Sequence, residues 1–258
     1  MLSPNINIFF YGIKDSLFLH ENIYHSLKIK EIRYEFTKIS FLNILLYLIH
    51  NINLYICNFS NNCIYLSYIL WTIPIIIISY ILTIGYYNNI SIKYCKISYP
   101  RNNFKYNYND KIQYLAHKIW YHLVFIIFII QGTLLSYIPY IGIFIDWYLT
   151  SLIYSFYCWE YFWGFQKIEH KIRFKIFESK LLYFLGFGSI FGIIKCYFTY
   201  LNSYLILSVL YPLESMRCIR VKLPKECIND ENYSLFKIAF KISYFIITIL
   251  RVYLIPSS

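Results

Sequence analysis

Nearly every charge in the chain falls in one of four basic stretches, and between them lie long aromatic-aliphatic runs. The runs extend from Phe36 to Cys57, Ile64 to Tyr87, Ile119 to Ile138, Gly142 to Trp163, Leu181 to Tyr211 and Phe236 to Ile255. Most approach the roughly 20 apolar residues that a helix needs to cross a bilayer. The turns inside and between them, Asn58–Cys63, Pro139–Gly142 and Tyr200–Ser203, contain no Lys, Arg, Asp or Glu. The cations gather elsewhere, as in Lys28, Lys30 and Arg33 before the first run, with Lys38 at its very start, or Arg217, Arg220, Lys222 and Lys225 after the fifth. Under the positive-inside rule these basic stretches face the cytosol. The pattern predicts an all-α, polytopic integral membrane protein with lumenal turns.

Composition narrows the function classes. At 59% hydrophobic residues and a mean hydropathy of +0.48, the chain is too apolar for a soluble domain of its length. A+T-rich codon usage can raise the Lys content behind the net charge of +11, but it cannot sort lysines to one side of alternate runs. The cations suit anionic lipid headgroups on the cytosolic face, at about 1 kcal/mol each. A nucleic-acid surface needs cations interleaved with aromatics, and here the two are segregated. The six His and seven Cys form no metal-ligand or catalytic spacing, so neither a cofactor nor an enzyme is expected. Cys57 and Cys63 flank the first turn on the lumenal side, where thiols oxidise, and are a candidate disulfide. The N-terminus lacks the basic leader of a cleavable signal.

Segment lengths divide the chain further. Residues 1–35 are read as a cytosolic or interfacial N-terminal segment, with Ile6, Phe9, Phe10, Ile13 and Leu17 at helical spacing. That helix either lies in the membrane interface or pads the first span. Residues 36–255 form one membrane domain, with a first hairpin at 36–87, a second at 119–163, a short re-entrant hairpin at 181–212 and a last hydrophobic helix at 236–255. The third block, about 31 residues, is too long for one span and too short for two with a turn. Both of its ends carry cations, so it is expected to enter and leave on one side, turning at Tyr200–Ser203. Pro139, Gly142 and Pro212 are the expected breaks of the hairpins.

Three ionisable residues lie in the runs and away from the basic stretches: Asp146, Glu160 and Lys195. Helical rise places Asp146 about 25 Å from Trp163 and Lys195 about 21 Å from Leu181, at similar depth. They are read as an ion pair that pins two hairpins together or as part of an ion path, both open at this point. Glu160 lies near the cytosolic interface, within reach of water, a headgroup or a loop cation. Gly186, Gly188 and Gly192 carry small-residue spacing for close helix packing, and no Gly-Lys-Ser/Thr ending supports a phosphate loop.

Tyr154-Ser-Phe-Tyr-Cys-Trp-Glu-Tyr-Phe-Trp163, Leu182-Tyr-Phe-Leu-Gly-Phe-Gly188 and Ser208-Val-Leu-Tyr-Pro-Leu213, in that order, resemble the etoposide-induced protein 2.4 family. Ile130-Gln-Gly132, Leu70-Trp-Thr-Ile-Pro74 and Gly12-Ile-Lys-Asp-Ser16 extend the resemblance upstream. It implies a multi-pass protein of the endoplasmic reticulum membrane, a contribution to autophagy, and a distant relation to CysZ-type sulfate permeases with partly penetrating hairpins. It carries over no catalytic residues. Two functions therefore stand side by side: a non-enzymatic protein of autophagy or membrane homeostasis, and an anion (sulfate-like) transporter or channel. The partners expected are the lipid bilayer and autophagy proteins, with a homo-oligomer as an option and no nucleic acid.

Overall fold

A computed structural model describes residues 4–57, 73–99 and 137–223, together with positions 127, 130, 131, 134, 135 and 241. Among the described residues there are helices and no strands: α1 (Pro4–Leu17), α2 (His20–Lys28), α3 (Lys30–Cys57), α4 (Ile73–Ser98), α5 (Gly142–Phe165), α6 (His170–Ser179), α7 (Leu181–Tyr197) and α8 (Tyr200–Arg220). The Cys57–Cys63 pairing, most of the run from Ile119 to Ile138, and the last run apart from Lys241 lie outside the described residues. Both α3 and α4 run past their apolar stretches into the basic ones, because Lys and Glu are good helix formers.

The helices pack in two groups that share α8. In one, α7 lies between α1 and α5; in the other, α3 and α4 pair and α8 lies against both as well as against α5. Aromatic side chains fill the first group. Trp159, Trp163 and Phe156 of α5, Phe177 of α6, and Phe184 and Phe187 of α7 are all fully buried. Phe177 stacks on Phe184 with ring centroids 4.6 Å apart, and the Trp159 ring meets Phe184 edge-on at 5.8 Å. Burying each such ring contributes about 2 kcal/mol, with edge-to-face geometry adding about 1 kcal/mol more.

The chain changes direction at identifiable places. Lys167 takes φ 58°, a left-handed conformation, and the Ile168 N–H reaches back to the Trp163 carbonyl while the Lys167 N–H bonds Gly164. This closes α5 in a Schellman arrangement, with a lysine where glycine is usual. Between α6 and α7 the axis bends by 87°. Taken together, Ile172–Ser179 and Leu181–Tyr197 have the length and apolarity of a membrane span; among the described residues no single helix does. In α5, the Trp and Tyr residues and the charges of Asp146 and Glu160 lower its hydropathy despite its 24 residues.

Three expectations need correction. The third block turns at Phe198–Thr199, both extended, and Tyr200–Ser203 is already the first turn of α8. Two extended residues suffice, and the Thr199 carbonyl accepts the Ser203 N–H at 2.8 Å. Pro212 breaks nothing and lies inside α8. A proline leaves the carbonyl four residues earlier without its helical donor; that carbonyl is Ser208's, and the Tyr87 hydroxyl of α4 donates to it at 3.2 Å. Finally, α1 packs mainly on α7, so it does not pad the first span. Phe9 and Ile13 meet Gly186 of α7, leaving Phe10 and Leu17 outward.

Candidate functional site

Glycines set the positions of the helices that carry the charges. A Cβ on Gly12 of α1 would strike the Tyr183 carbonyl, and one on Gly186 would strike the Phe9 carbonyl. On the opposite side of α7, a Cβ on Gly188 would strike the Ser151 carbonyl of α5, and one on Gly192 would meet Trp147 and the Ser151 hydroxyl. Backbone therefore touches backbone on both sides of α7, and the relative depth of α1, α5 and α7 is fixed.

That depth brings Asp146 and Lys195 together. Lys195 Nζ donates to Asp146 Oδ1 at 2.6 Å and lies 3.2 Å from the Thr150 hydroxyl. Asp146 sits near the N-terminus of α5 and Lys195 near the C-terminus of α7, so each charge also complements its helix dipole. The Lys195 and Asp146 side chains are 38% and 28% exposed; where water reaches such a pair it contributes at most about 1 kcal/mol. Glu160 does not join them. It lies 3.9 Å from Arg173, a cation of the third basic stretch, whose Nε donates to the Ile168 carbonyl at 2.8 Å.

A second charged cluster occupies the opposite end of α7, where α1 and α2 meet α8. Arg217 lies 3.9 Å from Asp15 and 3.7 Å from Glu21, and its Nε donates to the Asp15 backbone carbonyl at 3.0 Å. Arg220 reaches Glu21 at 2.8 Å. The Tyr183 hydroxyl donates to Asp15 at 2.9 Å. Burial pushes the Asp15 carboxyl above its ordinary value, while Tyr183, Arg217 and Lys14 pull it back. Beside this cluster Glu214 is 0% exposed, and neither of its oxygens has a hydrogen-bond partner among the described residues. It lies beyond the apolar run ending at Tyr211, and burial holds its carboxyl well above the usual range.

A polar seam joins α8 to the second group. Asn43 of α3 donates to the Ser208 hydroxyl at 2.9 Å, Ser91 of α4 and Ser215 share a hydrogen bond at 3.3 Å, and Asn22 of α2 donates to the Leu213 carbonyl at 3.1 Å. Lys93 of α4 pairs with Glu35 of α3 at 2.9 Å. Sequence reasoning missed Glu214 and this seam. The one available signal was an acidic residue directly after Tyr-Pro-Leu at the end of an apolar run; nothing local marks Asn43 or Ser208.

Among the described residues no group of three or more His, Cys, Asp or Glu side chains can hold a metal ion. Cys95, Cys158, Cys196 and Cys218 are free thiols.

Residues 9–213 match the family model described as Sulfate transporter CysZ/Etoposide-induced protein 2.4. The chain is 28% identical over 234 residues to a protein named Protein EI24 homolog from Dictyostelium discoideum, covering 85% of this chain and 75% of that protein. It is 31% identical over 99 residues to a Protein EI24 homolog from Arabidopsis thaliana, covering 38% and 31% of the two chains. No solved structure matches. The matched span contains the glycine crossings, Asp146, Lys195 and the α3–α4–α8 seam down to Leu213.

Proposed function

Because this chain belongs to the Sulfate transporter CysZ/Etoposide-induced protein 2.4 family, we propose that it is a non-enzymatic, multi-pass protein of the endoplasmic reticulum membrane that contributes to autophagy or membrane homeostasis. Its basic stretches face the cytosol and engage anionic headgroups, and α6 with α7 penetrates the bilayer as a bent element.

One observation carries the reading: polarity is inverted across α3. Phe41, Ile44, Leu48, Ile52 and Tyr55 point outward and are more than half exposed, whereas Asn43 and His50 on the other side are 2% and 6% exposed. An apolar exterior of that length is costly in water and favourable in lipid. Inward polar side chains that bond across helices are how membrane bundles hold together. The closed Lys195–Asp146 pair favours a structural role over transport, since the carboxylate at 2.6 Å neutralises the deep cation an anion would need.

Anion passage is the second reading, favoured by the family description and by the partial exposure of Lys195 beside the Thr150 hydroxyl. The two separate cleanly. Depleting the protein from its own cells is expected to lower autophagic flux, and purified protein in liposomes is expected to take up no sulfate above protein-free vesicles. Sulfate uptake abolished by Lys195→Met, with autophagic flux unchanged on depletion, would reverse the order of the readings.

A further inference from the structure

Glu214 is the one buried carboxyl in the described chain with both oxygens unpartnered, and it stands three residues from the arginine that fastens the N-terminal helices. Residues three apart on a helix are neighbours on its surface. Arg217 holds Asp15 of α1 and Glu21 of α2, and Arg220 holds Glu21 as well. Among the described residues, the salt bridges of this end therefore pass through two arginines on α8. An ionised carboxylate with no donor is untenable in such a site, so the carboxyl carries its proton, and Arg217 remains free to serve the two outer carboxylates.

We propose that Glu214 is a proton-holding site that sets how firmly α1 and α2 are clasped to α8: with the proton in place Arg217 bridges Asp15 and Glu21, and when the proton leaves, the new buried charge draws Arg217 away from both, leaving α2 on Arg220 alone and α1 on α7. The inference goes beyond the membrane function proposed above and does not depend on it. The step balances: one proton passes to solvent, and no covalent bond changes.

The neighbouring groups do not reproduce this behaviour. On α1, protonation of Asp15 weakens its pair with Arg217, but that happens on acidification. On α2, burial and the adjacent Arg220 hold His25 below its ordinary value, so it also charges on the acid side. Tyr94 of α4 and Tyr183 of α7 face the same arginines or Asp15. Cys158 of α5 and Cys218 of α8 face Glu214 itself. Replacing Glu214 leaves all four in place. Lys14 of α1 faces Asp15, and among the described residues Glu35 is paired with Lys93 and Glu160 with Arg173. Loosening on the alkaline side that disappears with Glu214→Gln is therefore specific to this carboxyl.

The test uses the full chain in lipid nanodiscs. Amide hydrogen exchange over residues 4–28 is compared between the native protein and Glu214→Gln at each pH, so that the ratio cancels the intrinsic exchange rate. Infrared spectroscopy follows the protonated carboxyl band that the variant lacks. The ratio is expected to stay near one while the band persists and to rise about tenfold as the band disappears with increasing pH. A band that titrates without a change in exchange overturns the proposal. So does a carboxyl already ionised at acidic pH, or one that stays protonated until the protein unfolds.

Discussion

The two sides of α8 are held by opposite means. In the α1–α5–α7 group, helices meet where side chains are missing, with Gly12, Gly186, Gly188 and Gly192 admitting a neighbour's backbone and aromatic rings filling the space beside them. In the α3–α4–α8 group, helices meet through side chains that bond across the gap, such as Asn43 to Ser208 and Ser91 to Ser215. The glycine contacts of the first mode are intolerant of added volume and themselves indifferent to protons. The second tolerates volume better and depends on each donor having its acceptor. A bundle with an apolar exterior needs both, because contact with lipid supplies no hydrophobic drive for helices to associate.

The sharpest way to break this contrast is to add a side chain. Gly188→Leu forces α5 and α7 apart at the Ser151 backbone and is expected to cost about 3 kcal/mol or more, read as a loss of monodisperse protein and of thermal stability in detergent. Gly85→Ala is its control. Nothing lies within 4 Å of a Cβ there, so the change is expected to stabilise by about 0.5 kcal/mol through helix propensity. Equal losses from both variants would contradict the glycine account.

The border between the two groups is sharpened by pH. Glu214 takes up a proton on folding because burial raises its carboxyl above the ordinary 4.5. The stability it contributes is full below that value and is lost as pH rises through the folded value. The slope over this window is expected to be about 1.4 kcal/mol per pH unit, and Glu214→Gln should flatten it. Denaturant unfolding of both proteins across the window decides the matter; parallel curves would mean that other groups dominate.

A smaller effect probes the seam. Tyr87→Phe leaves the Ser208 carbonyl without its donor and is expected to cost about 1–2 kcal/mol. In a Pro212→Ala background the new amide can bond that carbonyl, so the same substitution should cost about 1 kcal/mol less. Strict additivity of the two changes would show that the Tyr87 bond does not offset the proline.

These cases also show what a sequence can convey. The helices over the described parts of the apolar runs are legible because composition and length determine them. Asp146 and Lys195 are readable as neighbours by counting rise along two helices from a common side. The glycines declare close packing through their spacing, although only the structure shows that Gly186 faces α1 while Gly188 and Gly192 face α5. Pro212 misleads because its penalty is removed by a tyrosine 121 residues from its partner Ser208. Glu214 escaped notice because a carboxylate beside basic residues reads as solvated, and only the packing of α8 shows it enclosed. Membership of the family was carried by ordered short motifs and is matched over residues 9–213.

The central claim is that the outward face of α3 is a lipid face. Photo-crosslinking tests it most directly, with p-benzoylphenylalanine placed at Phe41, which is 70% exposed, and in parallel at Phe156, which is fully buried, in protein reconstituted into liposomes. The account predicts that position 41 acquires lipid mass and that position 156 links only within the chain. A probe at position 41 that gains no lipid while the protein remains folded contradicts it.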